Sequence, residues 1–374
     1  MSSSPALRVV HVDTERGWGG GQRQLHALAT GMQRRGHESW VMARPDSLLA
    51  AALARDGIPV VPLAPVFEWD PVAAGRLRAL VRRVRADVVH AHAAHAVSLA
   101  ALAVVGTRVP LLVTRRVALP LRRNPLSRWK YARPAHFIAV SQRVRSVLRA
   151  GGVAAERISV VHSGVEVGRA AARASAATLR ELGVEPGRPL VVMVSALIPP
   201  HKDPATFLAA IAAVRDAGGD VQALLVGDGP LAAAAARLCS RLGLGGVVRL
   251  VGFRRDAVEL LAAADVAVLS SRDEGLGTTL LDAMVAGVPV AATAAGGVTE
   301  VVRDEVDGLL VPVGDAAALG AAIGRLLGEA DLRASLVAAA RERVRQFSID
   351  RTVEGTLDVY RSLASNAAAV REGP

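Results

Sequence analysis

Short apolar runs rich in Val, Leu and Ile recur along the chain. Each ends at a glycine, a proline or a polar residue and gives way to a stretch with helical periodicity. In the first half the runs are LRVVHVD (7–13), SWVMA (39–43), PVVPL (59–63), DVVHAH (87–92), LLVT (111–114), HFIAV (136–140) and ISVVHS (158–163). In the second half they are LVVMVS (190–195), VQALLVG (221–227), VVRLVG (247–252), DVAVLS (265–270), VPVAAT (288–293) and GLLVP (308–312). Continuous apolar strands alternating with helices predict parallel sheets covered on both faces. The expected class is therefore α/β, with a doubly wound Rossmann-like domain occurring twice. Residues 168–189 lack a strand pattern and are read as a linker. That gives an N-terminal domain over 1–167, a C-terminal domain over 190–345, and a helix over 346–374 expected to pack back toward the N-terminal domain. Two such domains imply a cleft, with chemistry in the loops that follow the strands.

Composition changes this picture in two places. The single cysteine, Cys239, excludes an internal disulfide and any cysteine-rich zinc site. The net charge of +11 is unevenly placed: residues 1–186 carry +15 and residues 187–374 carry −4. A basic first half beside a mildly acidic second half suggests an anionic partner for the first half. The opening MSSSPALRVVHVD enters a strand at once and has no leader pattern, and no apolar run reaches membrane-spanning length, so a cytoplasmic protein is expected.

Four loops carry candidate chemistry. After the first strand comes TERGWGGGQRQL, with Gly17, Gly19, Gly20 and Gly21 before a helix that has Leu25, Leu28, Ala29 and Met32 on one face. Side-chain-free backbone at a helix start offers N–H groups to an anion. The plain alternative is a tight turn. The stretch VGDGPLA matches the dinucleotide variant G-x-G-x-x-A through Gly227, Gly229 and Ala232. It follows the second strand of its domain rather than the first, and arginines stand where a ribose-binding acid belongs, so an NAD(P)-dependent oxidoreductase is only a remote alternative. SALIPPHKDPATFL holds Lys202, the only lysine of the second half and suited to act as a point charge on a phosphate.

The fourth loop is SRDEGLGTTLLDAMVAGVPV (271–290). Glu274 follows a strand; Gly275, Leu276 and Gly277 let backbone approach a ligand; Thr278 and Thr279 open a helix that stops at Gly287. Free N–H groups at 277–279 suit a diphosphate. Asp282, one turn inside, suits ribose hydroxyls, and Glu274 suits sugar hydroxyls, because a carboxylate only accepts.

These residues resemble the family-4 glycosyltransferases of the GT-B fold. The likeness runs through LVVMVSALIPPHKDPATFL, ALLVGDGPL, VRLVGFRRDAVELLAAADVAVLSSRDEGLGTTLLDAMVAGVPVAATAAGGVTEVV and VDGLLVPVGDAAAL. It is looser through GWGGGQRQL, ADVVHAHAAHA, LLVTRRVALP and FIAVSQRV. The resemblance implies retaining transfer of a sugar from a nucleotide diphosphate sugar, without a metal. The absence of a D-x-D triplet and of a convincing His/Cys cluster agrees with the last point. It further implies Lys202 and Glu274 as catalytic residues, with Lys202 on the diphosphate and Glu274 on the donor sugar. Asp282 would hold the ribose, the loop Gly252–Arg254 with Phe253 the base, and Gly20 and Gly21 the donor phosphate from the other domain. Gly296, Gly297 and Glu300 match the family's next loop. Three departures stand out: Asp282 replaces the usual glutamate, Ala196 replaces a phosphate-binding arginine, and Arg115 or Arg116 occupies the place of a histidine. Arg115, Arg116 and Arg254 are candidate substitutes for the missing cation, and His92 and His95 for the missing histidine.

For the acceptor, RLRALVRRVRADVV (76–89) and LRRNPLSRWKYARP (121–134) mix bases with apolar and aromatic residues. This fits peripheral docking on an anionic leaflet and an acceptor such as a lipid-linked or lipopolysaccharide-type glycan. The plain alternative is a solvated helix face. No base-reading motif is present, and nucleic acid is not expected. A non-catalytic sugar-nucleotide-binding protein of the same fold is the alternative that Ala196 permits.

Overall fold

The computed structural model describes residues 5–122, 124–168 and 172–372, with side chains to 367 in the last helix. Arg123 and positions 169–171 of the expected linker lie outside the described residues. All thirteen apolar runs form strands: β1 Arg8–Val12, β2 Glu38–Ala43, β3 Val60–Pro62, β4 Val88–Ala91, β5 Leu111–Arg115, β6 His136–Ala139, β7 Ile158–Val160, β8 Leu190–Val194, β9 Gln222–Val226, β10 Val248–Gly252, β11 Val266–Leu269, β12 Val290–Thr293 and β13 Leu309–Val311. Two parallel sheets result, in the orders β3-β2-β1-β4-β5-β6-β7 and β10-β9-β8-β11-β12-β13. Both are doubly wound, and each order turns back beside its first strand. The chain thus divides into two compact units, one of residues up to Ser163 plus those from Ile349, the other Gly164–Ser348.

The central strands are apolar on both sides because helices cover both faces. Val9, Val10 and Val12 of β1 and Val191, Val192 and Met193 of β8 have no exposed surface. In the second unit the helix Pro204–Asp216 begins where its sequence says it should. Asp203 caps it, accepting from Thr206 N–H at 3.2 Å, and Pro204 occupies the first turn, where its missing N–H costs nothing. Its Phe207, Leu208 and Ile211 are fully buried. The helix Ala316–Gly328 lies close against it at Gly320, where an added Cβ would sit 3.0 Å from the Ala210 carbonyl oxygen.

In the first unit the last helix, Ile349–Glu372, places Ile349, Val353, Leu357, Tyr360 and Leu363 on one stripe. They pack with Leu7, Val9, Leu28, Met32, Val88, Leu112 and Ile138. Residues 168–189 are not bare chain: they contain the helix Ala176–Glu181, and the Ala174 N–H donates to the Glu259 carbonyl. Among the described residues no helix is long and apolar enough to cross a membrane.

Gly227 and Gly229, the dinucleotide-like pair, have a packing explanation. Gly227 has φ +139°, and a Cβ there would fall 1.9 Å from the Ser195 carbonyl oxygen; at Gly229 it would fall 2.5 Å from that of Leu197. The turn after β9 lies against the loop after β8, and only glycine fits. Gly227→Ala should destabilise the second unit by about 3 kcal/mol or more, on the scale of backbone strain plus a core clash. Denaturant unfolding checks this; a loss below about 1 kcal/mol would contradict the packing account.

Candidate functional site

In the second unit the sheet order reverses between β8 and β11, so the loops leaving these strands diverge at the carboxyl edge. The loop after β8 carries Lys202 and the loop after β11 carries Ser271 and Glu274. An isolated antiparallel bridge between Lys202 and Ser271 ties the two loops together. Lys202 Nζ forms an ion pair with Glu274 Oε1, and Ser271 Oγ donates to the same oxygen at 2.6 Å. The two charged side chains are only 20% and 11% exposed, so the pair is largely out of water.

Its surroundings are tied down. Thr293 Oγ1 donates to the Ser271 carbonyl at 2.6 Å, and Ser270 Oγ donates to the Asp203 carbonyl at 2.8 Å. The Gly297 N–H donates to the Glu274 carbonyl at 2.9 Å. A Cβ at Gly296 would come 2.5 Å from that carbonyl oxygen, and one at Gly297 would come 2.2 Å from that of Gly275. Gly296 and Gly297 thus serve the Glu274 loop by letting the loop after β12 lie flat beneath it.

Beside the pair begins the helix Thr278–Ala286. Gly277 stands before it in the left-handed region at φ +87°, with no side-chain cap, and the first turn holds no acid. The N–H groups of Thr278 and Thr279 therefore have no intrahelical partner, and no carboxylate of the first turn neutralises them. Thr278 and Thr279 are half-buried, and Asp282 is buried within the helix. Leu276 is a core residue, 3% exposed, so only its backbone can face a ligand; Gly275 is buried beside it. Phe253 is exposed after β10, and Arg254 is held by Asp256 through bonds of 2.8 and 2.6 Å. Glu300 lies in the short helix Val298–Val301.

The first unit has its own polar centre at its switch point, beyond β1, β4 and β5. His11 of β1 pairs in register with His90 of β4. His11, His90 and His92 gather nitrogens within 4.8 Å of one another. The expectation that the histidines form no cluster is thus corrected. By type and spacing the three could ligate a metal, but their nitrogens are already committed. Arg116 can only donate, and its two terminal nitrogens lie 3.3 and 3.4 Å from His92 Nδ1. That makes His92 Nδ1 an acceptor and its Nε2 the donor to His11 Nδ1, at 3.1 Å. His11 then carries its hydrogen on Nε2, which is buried without a partner. His90 bonds Tyr360 at 2.6 Å and Thr114 at 2.7 Å. Five of six ring nitrogens are engaged and a guanidinium sits alongside, a donor set that does not suit a cation.

Burial, followed by the Arg116 charge, pushes the His11 imidazole down to about 3. Burial first, then the neighbouring histidines and Arg116, hold His90 and His92 well below the ordinary histidine range. Burial raises Asp13, against bonds to its carboxylate from Glu15 N–H and Gln22 Nε2.

Of the other residues of this unit that the sequence singled out, Gly21 lies against Arg116, with a Cβ placed 3.6 Å from its Cδ. Gly20 opens the adjoining helix Gly20–Arg34. His95 is exposed in the first turn of the helix Ala94–Ala103. Arg115 turns elsewhere, donating to Tyr131 Oη at 3.1 Å and to the Leu119 carbonyl at 2.5 Å. His11, Asp13, Gln22, His90, Thr114 and Tyr360 were not singled out by the sequence motifs. Polar residues inside otherwise apolar strands could have flagged His11 and His90. Nothing local marks Tyr360, 270 positions from His90.

The Glycosyltransferase Family 4 model matches residues 18–169, and the Glycosyl transferases group 1 model matches residues 188–329. The chain belongs to glycosyltransferase family 4. The D-inositol 3-phosphate glycosyltransferase of Salinispora tropica is 37% identical over 221 residues, covering 54% of this chain and 46% of that protein. The 2-deoxystreptamine N-acetyl-D-glucosaminyltransferase of Streptomyces fradiae is 36% identical over 196 residues, covering 51% and 46%. The match thus spans about half the length of these curated relatives. HepE of Anabaena, solved in complex with UDP and glucose, superposes with a TM-score of 0.83 at 23% identity, covering 95% of this chain and all of that one. That likeness establishes the GT-B fold.

The neutral histidines have a consequence for stability. The unfolded chain takes up protons on them below the ordinary value of 6.5, whereas folded His11 does so only near 3. This stability is present above pH 6.5 and is lost as pH falls through that window, by up to about 1.4 kcal/mol per pH unit for each histidine. Asp13, raised in the folded state, opposes this in the carboxylate range. The first unit should melt at progressively lower temperature from pH 7 to pH 5, and His11→Gln should remove about one proton from the slope. Calorimetry across that range checks both; a flat profile would contradict the neutral assignment.

Proposed function

We propose that the chain transfers a hexose or heptose-type sugar from a nucleotide diphosphate sugar to a hydroxyl group, with retention of anomeric configuration and without a metal. The observation that carries this reading is the Lys202–Glu274 pair beside an uncapped, acid-free helix start at Gly277–Thr279. An ammonium and bare amides suit a diphosphate. Glu274 and Asp282 suit the hydroxyls of sugar and ribose, and Phe253 and Arg254 the base. The bond from the anomeric carbon to the phosphate oxygen breaks as the acceptor oxygen attacks from the same face. The acceptor's proton passes to the departing phosphate. Lys202 and the amides stabilise the charge that builds on the leaving group. HepE, solved with UDP and glucose, supports this class of donor.

On the acceptor side, we propose a glycan or glycolipid at a cytoplasmic membrane surface. Arg76, Arg82, Arg83 and Arg85 are exposed, as are Arg122, Arg128 and Arg133. Lys130, counted among these cations from the sequence, is instead buried and paired with Glu68 at 2.8 Å. Glu68 and Asp70 both turn inward, Asp70 capping the helix Pro71–Arg83. Their loop consequently shows Val66, Phe67 and Val72 to solvent with no outward acid, and Leu126 is likewise exposed. Apolar tips with surrounding arginines fit an anionic interface. The named relatives favour a second reading: both are named for transfer to cyclitols, so a small soluble polyol is the competing acceptor.

Lys202→Ala should lower turnover about 100-fold or more while the chain stays folded at assay temperature. Assays against UDP-, GDP- and ADP-sugars supply the readout. Wild-type-like turnover in the variant would defeat the assignment, and no transfer or hydrolysis by the wild type would favour a non-catalytic binding protein. Flotation with anionic vesicles should show binding that is lost at high salt and weakened by Phe67→Ser. Absence of binding at low salt would point to the soluble acceptor.

A further inference from the structure

The charge that builds on a leaving diphosphate creates a second difficulty for the site. Cleavage of the sugar–phosphate bond leaves the spent nucleotide with one more free phosphate oxygen than the donor had. A cation and bare amides that stabilise this oxygen as it forms also hold the finished product, and product release limits many enzymes. Turnover gains from a group that competes for the cation once the sugar has gone.

The Lys202–Glu274 pair has the geometry of such a competitor. Among the described residues Glu274 is the only side-chain partner of the Lys202 ammonium. Arg272, the arginine of these two loops, is already paired with Asp203 at 3.0 Å. The carboxylate is anchored where it stands. Ser271 Oγ donates to its Oε1 at 2.6 Å, and the Gly297 N–H donates to its backbone carbonyl at 2.9 Å. Ser271 is itself bridged to Lys202 and accepts from Thr293 through its own carbonyl. Ammonium and carboxylate are only 20% and 11% exposed, so they attract each other where water screens little. Oε1 serves both Lys202 and Ser271, which leaves Oε2 to accept from a sugar hydroxyl.

We infer that Glu274 has a second task, the expulsion of the spent nucleotide. While the donor is whole, its sugar hydroxyls occupy the carboxylate and Lys202 faces the diphosphate. When the sugar passes to the acceptor, those hydroxyl bonds go with it. The carboxylate, still held by Ser271, reclaims the ammonium, and the diphosphate loses part of its counter-charge and departs. The inference rests on the transferase reading for where the diphosphate lies. Its sign sets it apart: removing an acid that contacts the donor should tighten the product.

The full chain is titrated calorimetrically with UDP, GDP and ADP, and with UDP-, GDP- and ADP-glucose. Glu274→Gln, which keeps the shape and loses the charge, should bind the preferred nucleoside diphosphate about tenfold more tightly than wild type, the scale of one charge-assisted hydrogen bond. The matching nucleotide sugar should gain less, because its hydroxyls lose a charged acceptor. In a Lys202→Met background the same substitution should change diphosphate affinity by less than about twofold, since no ammonium is left to compete for. Should Glu274→Gln fail to fold, Glu274→Ala decides, and it must tighten the diphosphate in the same direction. A gain below about threefold, weaker binding, or an equal gain with and without Lys202 overturns the inference. Those results leave the transferase reading standing wherever wild type binds a nucleotide. A wild type that binds none of the six ligands sinks that reading and this inference with it.

Discussion

A parallel sheet sends all its crossover loops out along one edge, and at the switch point two of them part. That constraint brings Lys202 and Glu274 together across 72 positions of chain. An ammonium and a carboxylate so little exposed would each be expensive alone. Together, with Ser271 on the shared oxygen, they form a unit whose charges are mutually satisfied before any ligand arrives. A diphosphate entering there meets a cation already positioned and a carboxylate already desolvated. Little reorganisation remains, which is the condition under which electrostatic stabilisation acts most strongly.

The supporting residues are mostly small for the same reason. Gly296 and Gly297 let one loop slide beneath the backbone of Glu274, and Gly227 and Gly229 let another pass beneath the loop bearing Lys202. Residues that might be taken for ligand-cradling glycines are in part glycines that cradle other backbone. Their chemistry is indirect: they fix where the charged pair stands.

The first unit solves a different electrostatic problem at the same point of its sheet. Its histidines are neutral, their tautomers dictated in sequence from Arg116 through His92 to His11. The full cation at this centre is the Arg116 guanidinium. Tyr360, reaching in from the last helix, completes the bonds of His90, so that helix helps set the polarity of a centre built on β1, β4 and β5.

All thirteen strands were legible as apolar runs, because parallel strands buried on both faces must be apolar at successive positions. The helix from Thr278 and its stop at Gly287 were legible too, since helix starts and breakers are local. What the chain alone could not reveal were relations between distant residues. Lys130 reads as a surface cation until Glu68 is found beside it. Arg115 and Arg116 are adjacent and chemically alike, yet one turns to Tyr131 and the other to His92. His11, His90 and His92 look like scattered polar residues until sheet register puts them together. Sequence determines periodicity and caps because those depend on neighbours within a turn or two; which charges are paired depends on desolvation and contact, and only the folded chain decides those.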